Sequence, residues 1–251
     1  MDRMIYTAMS GLKSQMKAQA AIANNIANAK TIGFRGDRIH FEHMLVSGTG
    51  LESRAPAAGA VVDIDRSAGT LEQTGRPLDV AVASDSWISV QAADGSEAYT
   101  RRGDLSVADT GVLETGDGFP VMGSGGPITV PPYQQIMVAE DGTVSIVPKG
   151  AQPGEKPQDI GRIKLVSAKG SDTAKGLDNL LHVKGGGVLP DDLDAKLVSG
   201  SLEQSNVNLT QSLVDMIENQ RSYEVQANLL KEAKQMDESA ASLLRMPSRG
   251  S

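Results

Sequence analysis

The sequence predicts an α+β chain, mainly β: long N- and C-terminal helices forming a coiled-coil-like pair, an inserted antiparallel β-barrel or sandwich-like domain, and extended linking regions. Three observations carry this expectation. Apolar or small residues recur in alternating steps of four and three at both ends of the chain. The middle switches to alternating apolar and polar positions punctuated by Asp-Gly pairs, and Gly- and Pro-rich stretches separate the two regimes.

The N-terminal stripe runs through Ile5, Met9, Leu12, Met16, Gln19, Ala23 and Ile26, with Gln19 as its polar exception, and the helix is expected to stop between Lys30 and Gly33. Its end, "NNIANAKTIGF", places Asn24, Asn25 and Asn28 where an amide competes with the helix backbone for hydrogen bonds. Partners outside the helix are therefore expected for those amides. The C-terminal stripe comprises Leu209, Leu213, Met216, Gln220, Tyr223, Ala227 and Leu230, and continues less regularly through Ala233, Met236, Ala240 and Leu243. Ser205 or Asn206 is the expected cap at its start, with Pro247 beyond its end.

Between the helices, Val61 to Asp65, Leu78 to Val82, Trp87 to Val90, Leu105 to Val107, Ile128 to Val130, Ile136 to Val138 and Val144 to Val147 read as short strands. Asp94-Gly95, Asp117-Gly118 and Asp141-Gly142 supply tight turns between them. Loops fall at 47–59, 148–159 and 184–192. The expected division is a discontinuous terminal-helix domain at 1–32 and 205–246, linking regions at 33–76 and 186–204, an outer β domain at 77–185 and a disordered tail at 247–251.

With 24 Lys and Arg against 31 Asp and Glu, the 251-residue chain lacks the basic surface that phosphate backbones require, so nucleic acid is excluded as an expected partner. No run approaches the roughly 20 apolar residues of a membrane helix, and the N-terminus lacks the apolar core and cleavage site of a secretory signal. Cysteine is absent, which removes disulfides, thiolate metal sites and a cysteine nucleophile. Aromatic residues make up only 3% of the chain. So lean a β region is not expected to cover two long amphipathic helices, whose stripes would then bury against each other and against neighbouring chains.

No segment builds a convincing reaction centre. His40 and His43, with Glu42 between them, have no evident third metal ligand, and His182 stands alone. The glycines of "TGDGFPVMGSGGP" lack the Lys-Ser/Thr ending of a phosphate loop and read as turns. "AADGSE" and "AEDGTV" fall short of a calcium loop. The Arg102-Gly103-Asp104 triplet matches an adhesion motif by sequence alone, and Arg101 and Arg102 are expected to pair with nearby acids. Catalytic residues, metal ligands and cofactors are thus expected to be absent; a β-domain hydrolase and an adhesin are the rival classes.

The terminal motifs carry a further signal. "NNIANAKTIGFR" and "SNVNLTQSLVDMIENQRSYEVQANLL" resemble the signatures that close the N-terminal helix and build the C-terminal helix of the flagellar axial proteins of the rod and hook. "AGTLEQTGRPLDVAV", "AYTRRGDLSVADTGVLETGDGFPVMG" and "DGTVS" are similar to that family's β-domain landmarks, so the resemblance covers nearly the whole chain. The opening "MDRMIYTAMSG" and the run into "DIDRSAGTLEQTG" resemble proximal-rod members; distal-rod and hook members are the alternatives. Two departures stand out: "SDSWISV" replaces a Gly-Phe-Phe run, and Asp104 occupies a position where an aromatic is common.

The resemblance implies a structural subunit of the basal-body rod, exported by the flagellum's own type III apparatus without a cleaved signal and assembled in the periplasm with itself and neighbouring rod proteins. The expected assembly interface takes Ile5, Met9, Leu12 and Met16 from the N-terminal stripe and Asn24, Asn25, Ile26, Asn28, Gly33 and Phe34 from the first motif. From the second come Asn206, Leu209, Leu213, Met216, Ile217, Gln220, Arg221, Tyr223 and Leu230.

Overall fold

The computed structural model describes residues 2–43, 57–152 and 155–244. The chain is mainly β, with only two helices among the described residues, α1 (Asp2–Ala27) and α2 (Leu209–Leu244). It divides into two compact units. One comprises residues 1–27, 37–63 and 208–251, the other residues 28–36 and 64–207.

The first unit holds both helices and most of a two-stranded sheet of Asp37–His43 with Ala57–Ile64. Here the expected coiled-coil-like pair needs correction. Met9 and Met16 of the proposed seam are 56% and 60% exposed, and Leu209 and Leu213 are also exposed. The buried positions of α1 are instead Gly11, Ser14, Ala18, Ala21 and Ile22, the same alternation displaced by two residues and made mostly of small side chains. Two residues turn a helix through about 200°, so the large apolar side chains face away from this stripe. On α2 the inward positions include Ser212, Asn219 and Gln226, a polar series rather than an apolar one. Gln15 Nε2 donates to Ser222 Oγ at 3.1 Å, and Asn219 Nδ2 to the Gln15 carbonyl at 3.2 Å. A Cβ placed on Gly11 would come 3.0 Å from Gln226 Oε1. Small residues and amide hydrogen bonds hold α1 to α2, where knobs of Met and Leu were expected.

The second unit is all β. Its largest sheet is antiparallel, in the order Leu165–Ser167, Ser86–Gln91, Glu97–Thr100, Leu181–Val183, Thr173–Lys175. A three-stranded sheet runs Tyr133–Val138, Thr143–Pro148, Gln158–Arg162. Four further pairs complete it, among them Leu71–Gln73 with Ser201–Glu203 and Val80–Val82 with Leu197–Ser199. The strand order of no described sheet returns to its first member, so the barrel form of the expected barrel or sandwich-like domain is overturned as well. Strands of two to eight residues interrupted by turns do not supply the continuous, evenly staggered ladder that closure requires.

Successive side chains of a strand point to opposite faces. In Ser86–Gln91, Ile88 and Val90 enter a core with Leu105, Leu113, Val144 and Ile146, whereas Trp87 enters a second core with Ile64, Tyr99, Val166 and Leu181. The same split separates Ala98 from Tyr99 on the neighbouring strand. Burial on both faces explains why "SDSWISV" has no clean polar alternation. Of the expected strands, Ile128 to Val130 is reduced to a single bridge between Thr129 and Val112. The Asp-Gly turns do form, with φ of 83°, 82° and 88° at Gly95, Gly118 and Gly142.

Candidate functional site

In the first unit the asparagines of the N-terminal motif find partners on the strand that follows. Asn24 Nδ2 donates to Asp37 Oδ2 at 2.7 Å. Asn25 makes a two-way contact, its amide donating to the Asp37 carbonyl at 2.8 Å while its oxygen accepts the Asp37 N–H at 2.7 Å. Such a pair copies a backbone ladder and fixes the strand's entry against the helix. On α2 the cap is neither Ser205 nor Asn206: Asn208 Oδ1 accepts the Gln211 N–H at 3.1 Å, the usual reach from an N-cap to the third helical residue. The outward side of the two helices carries Met9, Met16, Leu209, Leu213, Val214, Ile217, Val225 and Leu229. Gln220 and Arg221 are exposed among them, with Gln220 Nε2 reaching Glu224 at 3.4 Å; Leu12, Ile26, Met216, Tyr223 and Leu230 are half-buried. The side chain of Ile5 and the 247–251 tail lie outside the described residues.

In the second unit three distant segments meet. The Gly33 N–H donates to the Glu203 carbonyl at 2.7 Å, the Asn206 N–H to the Phe34 carbonyl at 3.3 Å, and the Asp65 N–H to the Gly36 carbonyl at 2.8 Å. Asn206 accepts the Gly36 N–H at 2.8 Å and donates to the carbonyls of Asp65 and Ser67 at 3.0 and 2.9 Å. One amide thus binds all three segments. Within this unit Asn28 Oδ1 accepts the Thr31 hydroxyl at 3.1 Å, bracing the turn before Gly33.

Gly33 adopts φ 67°, and a Cβ on it would lie 2.4 Å from the Arg101 carbonyl carbon. The backbone conformation and the close approach each demand glycine. The following residue, Phe34, is buried, and the Lys175 ammonium sits 3.9 Å from its ring centroid.

Behind this crossing lies a buried ion cluster that sequence reading did not find. Arg35, Arg101 and Glu203 are 3%, 3% and 2% exposed. Glu203 Oε1 is 2.6 Å from Arg35 Nη2 and accepts the Gly69 N–H at 2.8 Å, while Oε2 is 3.4 Å from Arg101 Nη1. Arg35 also donates to the Ser67 carbonyl, and Arg101 to those of Val82 and Ser84. Trp87 covers Arg101, its ring centroid 5.6 Å from the guanidinium carbon. Burial pushes the Arg101 guanidinium down, opposed by the Glu203 carboxylate and reinforced by Arg35. The available signal was Arg35 itself, directly after "TIGF"; its partner lies far along the chain.

The other motifs resolve without chemistry. Arg102 grips Asp104 with both Nε and Nη2, at 2.7 and 2.9 Å, and Asp117 with Nη1 at 2.7 Å. A Cβ on Gly103 would meet the Val80 carbonyl oxygen at 1.7 Å, so the Arg-Gly-Asp triplet is locked inward and is not presented as a ligand. Arg102 pairs with acids close in sequence, as expected; the acid that Arg101 meets is Glu203, far along the chain. The two departures, Trp87 and Asp104, are the residues that cover Arg101 and hold Arg102. His40 lies on a strand, His43 has no described side chain, and His182 pairs with Asp178 at 3.0 Å. No group of three metal-ligating side chains forms among the described residues.

Comparison with known families agrees with this layout. Residues 5–35 match the family described as flagella basal body rod protein, residues 81–146 the flagellar hook protein FlgE/F/G D1 domain, and residues 198–243 the flagellar basal body rod FlgEFG protein C-terminal region. Flagellar basal-body rod protein FlgF of Salmonella typhimurium is 40% identical over 98% of this chain and 100% of its own length. FlgF of Escherichia coli K12 is 40% identical over 92% of this chain and 93% of its own. Flagellar basal-body rod protein FlgG of Bacillus subtilis is 32% identical over 92% and 94%. The two matched ends contain the Gly33 turn, Arg35, Glu203 and Asn206 that bind the crossing together, and with identity sustained through the β unit between them, this chain belongs to the flagellar basal-body rod proteins, as a FlgF-like member.

Proposed function

We propose that this chain is a structural subunit of the flagellar rod, in its proximal part, and that it polymerises with copies of itself and with neighbouring rod proteins into the shaft that carries torque from motor to hook. The observation that carries this reading is the set of large apolar side chains exposed on both helices, Met9, Met16, Leu209, Leu213, Ile217 and Leu229 foremost. Each large apolar side chain that becomes fully buried contributes roughly 1.5–3 kcal/mol, so several per subunit offset the entropy of ordering and association. Gln220 and Arg221, exposed beside them, supply directional hydrogen bonds that set register between neighbours.

The subunit reaches its site through the flagellar type III export apparatus without a cleaved signal and works in the periplasm. It has no catalytic role, takes no cofactor, binds no nucleic acid and does not insert into a membrane. The formal charge of −7 supports the exclusion of nucleic acid, and no described helix is long and apolar enough to cross a bilayer.

The test is to express Leu213→Asp and Ile217→Asp variants in a strain lacking the protein and probe purified basal bodies for the subunit. The expected result is a folded β unit in each purified variant, no subunit in the basal bodies and no swimming. Normal incorporation of both variants overturns the assignment of this face.

A further inference from the structure

We propose that the small cavity bordered by Arg35, Arg101, Trp87 and Gly33 in the second unit is a binding site for a monovalent anion of halide size. The cavity has room for about one water-sized species, and Ile64, Thr100, Lys175, Asn179 and Leu181 complete its lining.

Charge balance is the first argument. Among the described residues, Glu203 is the one carboxylate that contacts either guanidinium, so two buried positive charges share one negative charge. Asp85, the other acid that acts on Arg101, is 75% exposed and pairs loosely with Lys169 at 3.8 Å. Buried charge is costly unless matched, and a neutral water would fill the space without supplying the missing charge.

Hydrogen bonding is the second. In this cluster three buried donors, Arg35 Nε and Nη2 and Arg101 Nε, lack a hydrogen-bond acceptor among the described residues, against one buried acceptor without a donor, Glu203 Oε2. Glu203 Oε1 is ion-paired with Arg35 Nη2 and accepts the Gly69 N–H, and the terminal nitrogens of Arg101 serve the Val82 and Ser84 carbonyls. An anion accepts from several donors at once and has no proton of its own to place. The Lys175 ammonium lies on the Phe34 ring and donates to the Arg35 carbonyl at 3.0 Å.

Trp87 makes the site observable. It is the single tryptophan of the chain and lines the cavity, so a heavy halide held there quenches its fluorescence. The experiment titrates sodium bromide into the purified full-length protein at constant ionic strength, with sodium gluconate, whose anion is too large for the cavity, as the balancing salt. Quenching is expected to saturate, and added chloride is expected to shift the saturation to higher bromide. Replacing gluconate by chloride is expected to raise the melting temperature by roughly 3–5 °C at ten times the dissociation constant. Arg101→Gln, which matches one guanidinium to one carboxylate, should lose the saturable component while circular dichroism still reports a folded β unit; Arg35→Gln is the second variant if the first does not fold. Quenching that rises linearly with bromide and ignores chloride means that water alone occupies the site, and this wild-type result overturns the proposal without reference to either variant.

Discussion

Arg35 and Glu203 come from opposite ends of the sequence and meet at 2.6 Å, both almost completely withdrawn from solvent. Removing one partner from such a cluster leaves uncompensated charge in a medium that cannot solvate it. Glu203→Gln keeps the shape and the acceptor for the Gly69 N–H but leaves Arg35 and Arg101 unmatched. It should lower the stability of the β unit by about 3–5 kcal/mol, read from the urea midpoint of Trp87 fluorescence. Loss of less than about 1 kcal/mol would show that the pair behaves as a solvated surface pair.

Gly33 and Gly75 share nearly the same backbone conformation, φ 67° and 74°, but differ in surroundings. A Cβ on Gly33 collides with the Arg101–Arg102 peptide, whereas nothing lies within 4 Å of one on Gly75. Gly33→Ala should therefore cost roughly 2–4 kcal/mol, strain and overpacking together, and Gly75→Ala about 1–2 kcal/mol from the left-handed conformation alone. Thermal unfolding of the two variants side by side tests the difference, and equal shifts would remove the collision from the account.

Asn206 joins Gly36, Asp65 and Ser67 through a single amide. Asn206→Ala should destabilise the β unit by roughly 2–4 kcal/mol, from several bonds lost at once and partners left without water. Hydrogen exchange at the Gly36 amide should accelerate in proportion, and unchanged protection there would show that the amide is held by other contacts.

Tyr99 is fully buried, and burial first of all pushes its phenol up to about 12, despite the Leu189 N–H donated to its oxygen at 2.7 Å. Between the ordinary tyrosine value near 10 and about 12 the unfolded chain has released this proton and the folded chain has not, so stability is present below pH 10 and falls as pH rises through that window. Arg101, pushed down by burial, acts with the opposite sign, and comparing the wild type with Tyr99→Phe cancels its contribution. The fall in melting temperature above pH 10 should be shallower in Tyr99→Phe; an identical slope would place the phenol in contact with solvent.

Leu213 and Ala18 occupy opposite situations on the paired helices, one exposed and the other 2% exposed. Leu213→Asp should leave the isolated chain's stability within about 0.5 kcal/mol, whereas Ala18→Asp, which buries a charge, should cost more than about 3 kcal/mol. Circular dichroism melts of both separate an assembly defect from a folding defect.

Local features of this fold were legible in the sequence because their causes are local. The Asp-Gly turns form where a positive φ was needed, and glycine closes the N-terminal motif at Gly33. The repeat of the helical pattern was legible too, but its face was not. Methionine and leucine look like core, while Gly11, Ser14 and Ala18 look like filler, and yet the close approach of α1 to α2 selects the small residues. The polar positions Ser212 and Asn219 carry no apolar signal at all. Asn206 and Asn208 are chemically identical, and only the structure shows that the first binds three segments while the second caps the helix. The Arg35, Arg101 and Glu203 cluster depends on contacts between distant segments that no local spacing encodes.

The small-residue contact between α1 and α2 has a mechanical consequence. Interlocked side chains act as teeth, and one helix slides past another only by lifting them over each other. Alanine, serine and glycine present a surface of low corrugation, on which steric resistance to axial sliding is weak. The position of α1 along α2 is then set by pins, Gln15 to Ser222 and Asn219 to the Gln15 carbonyl.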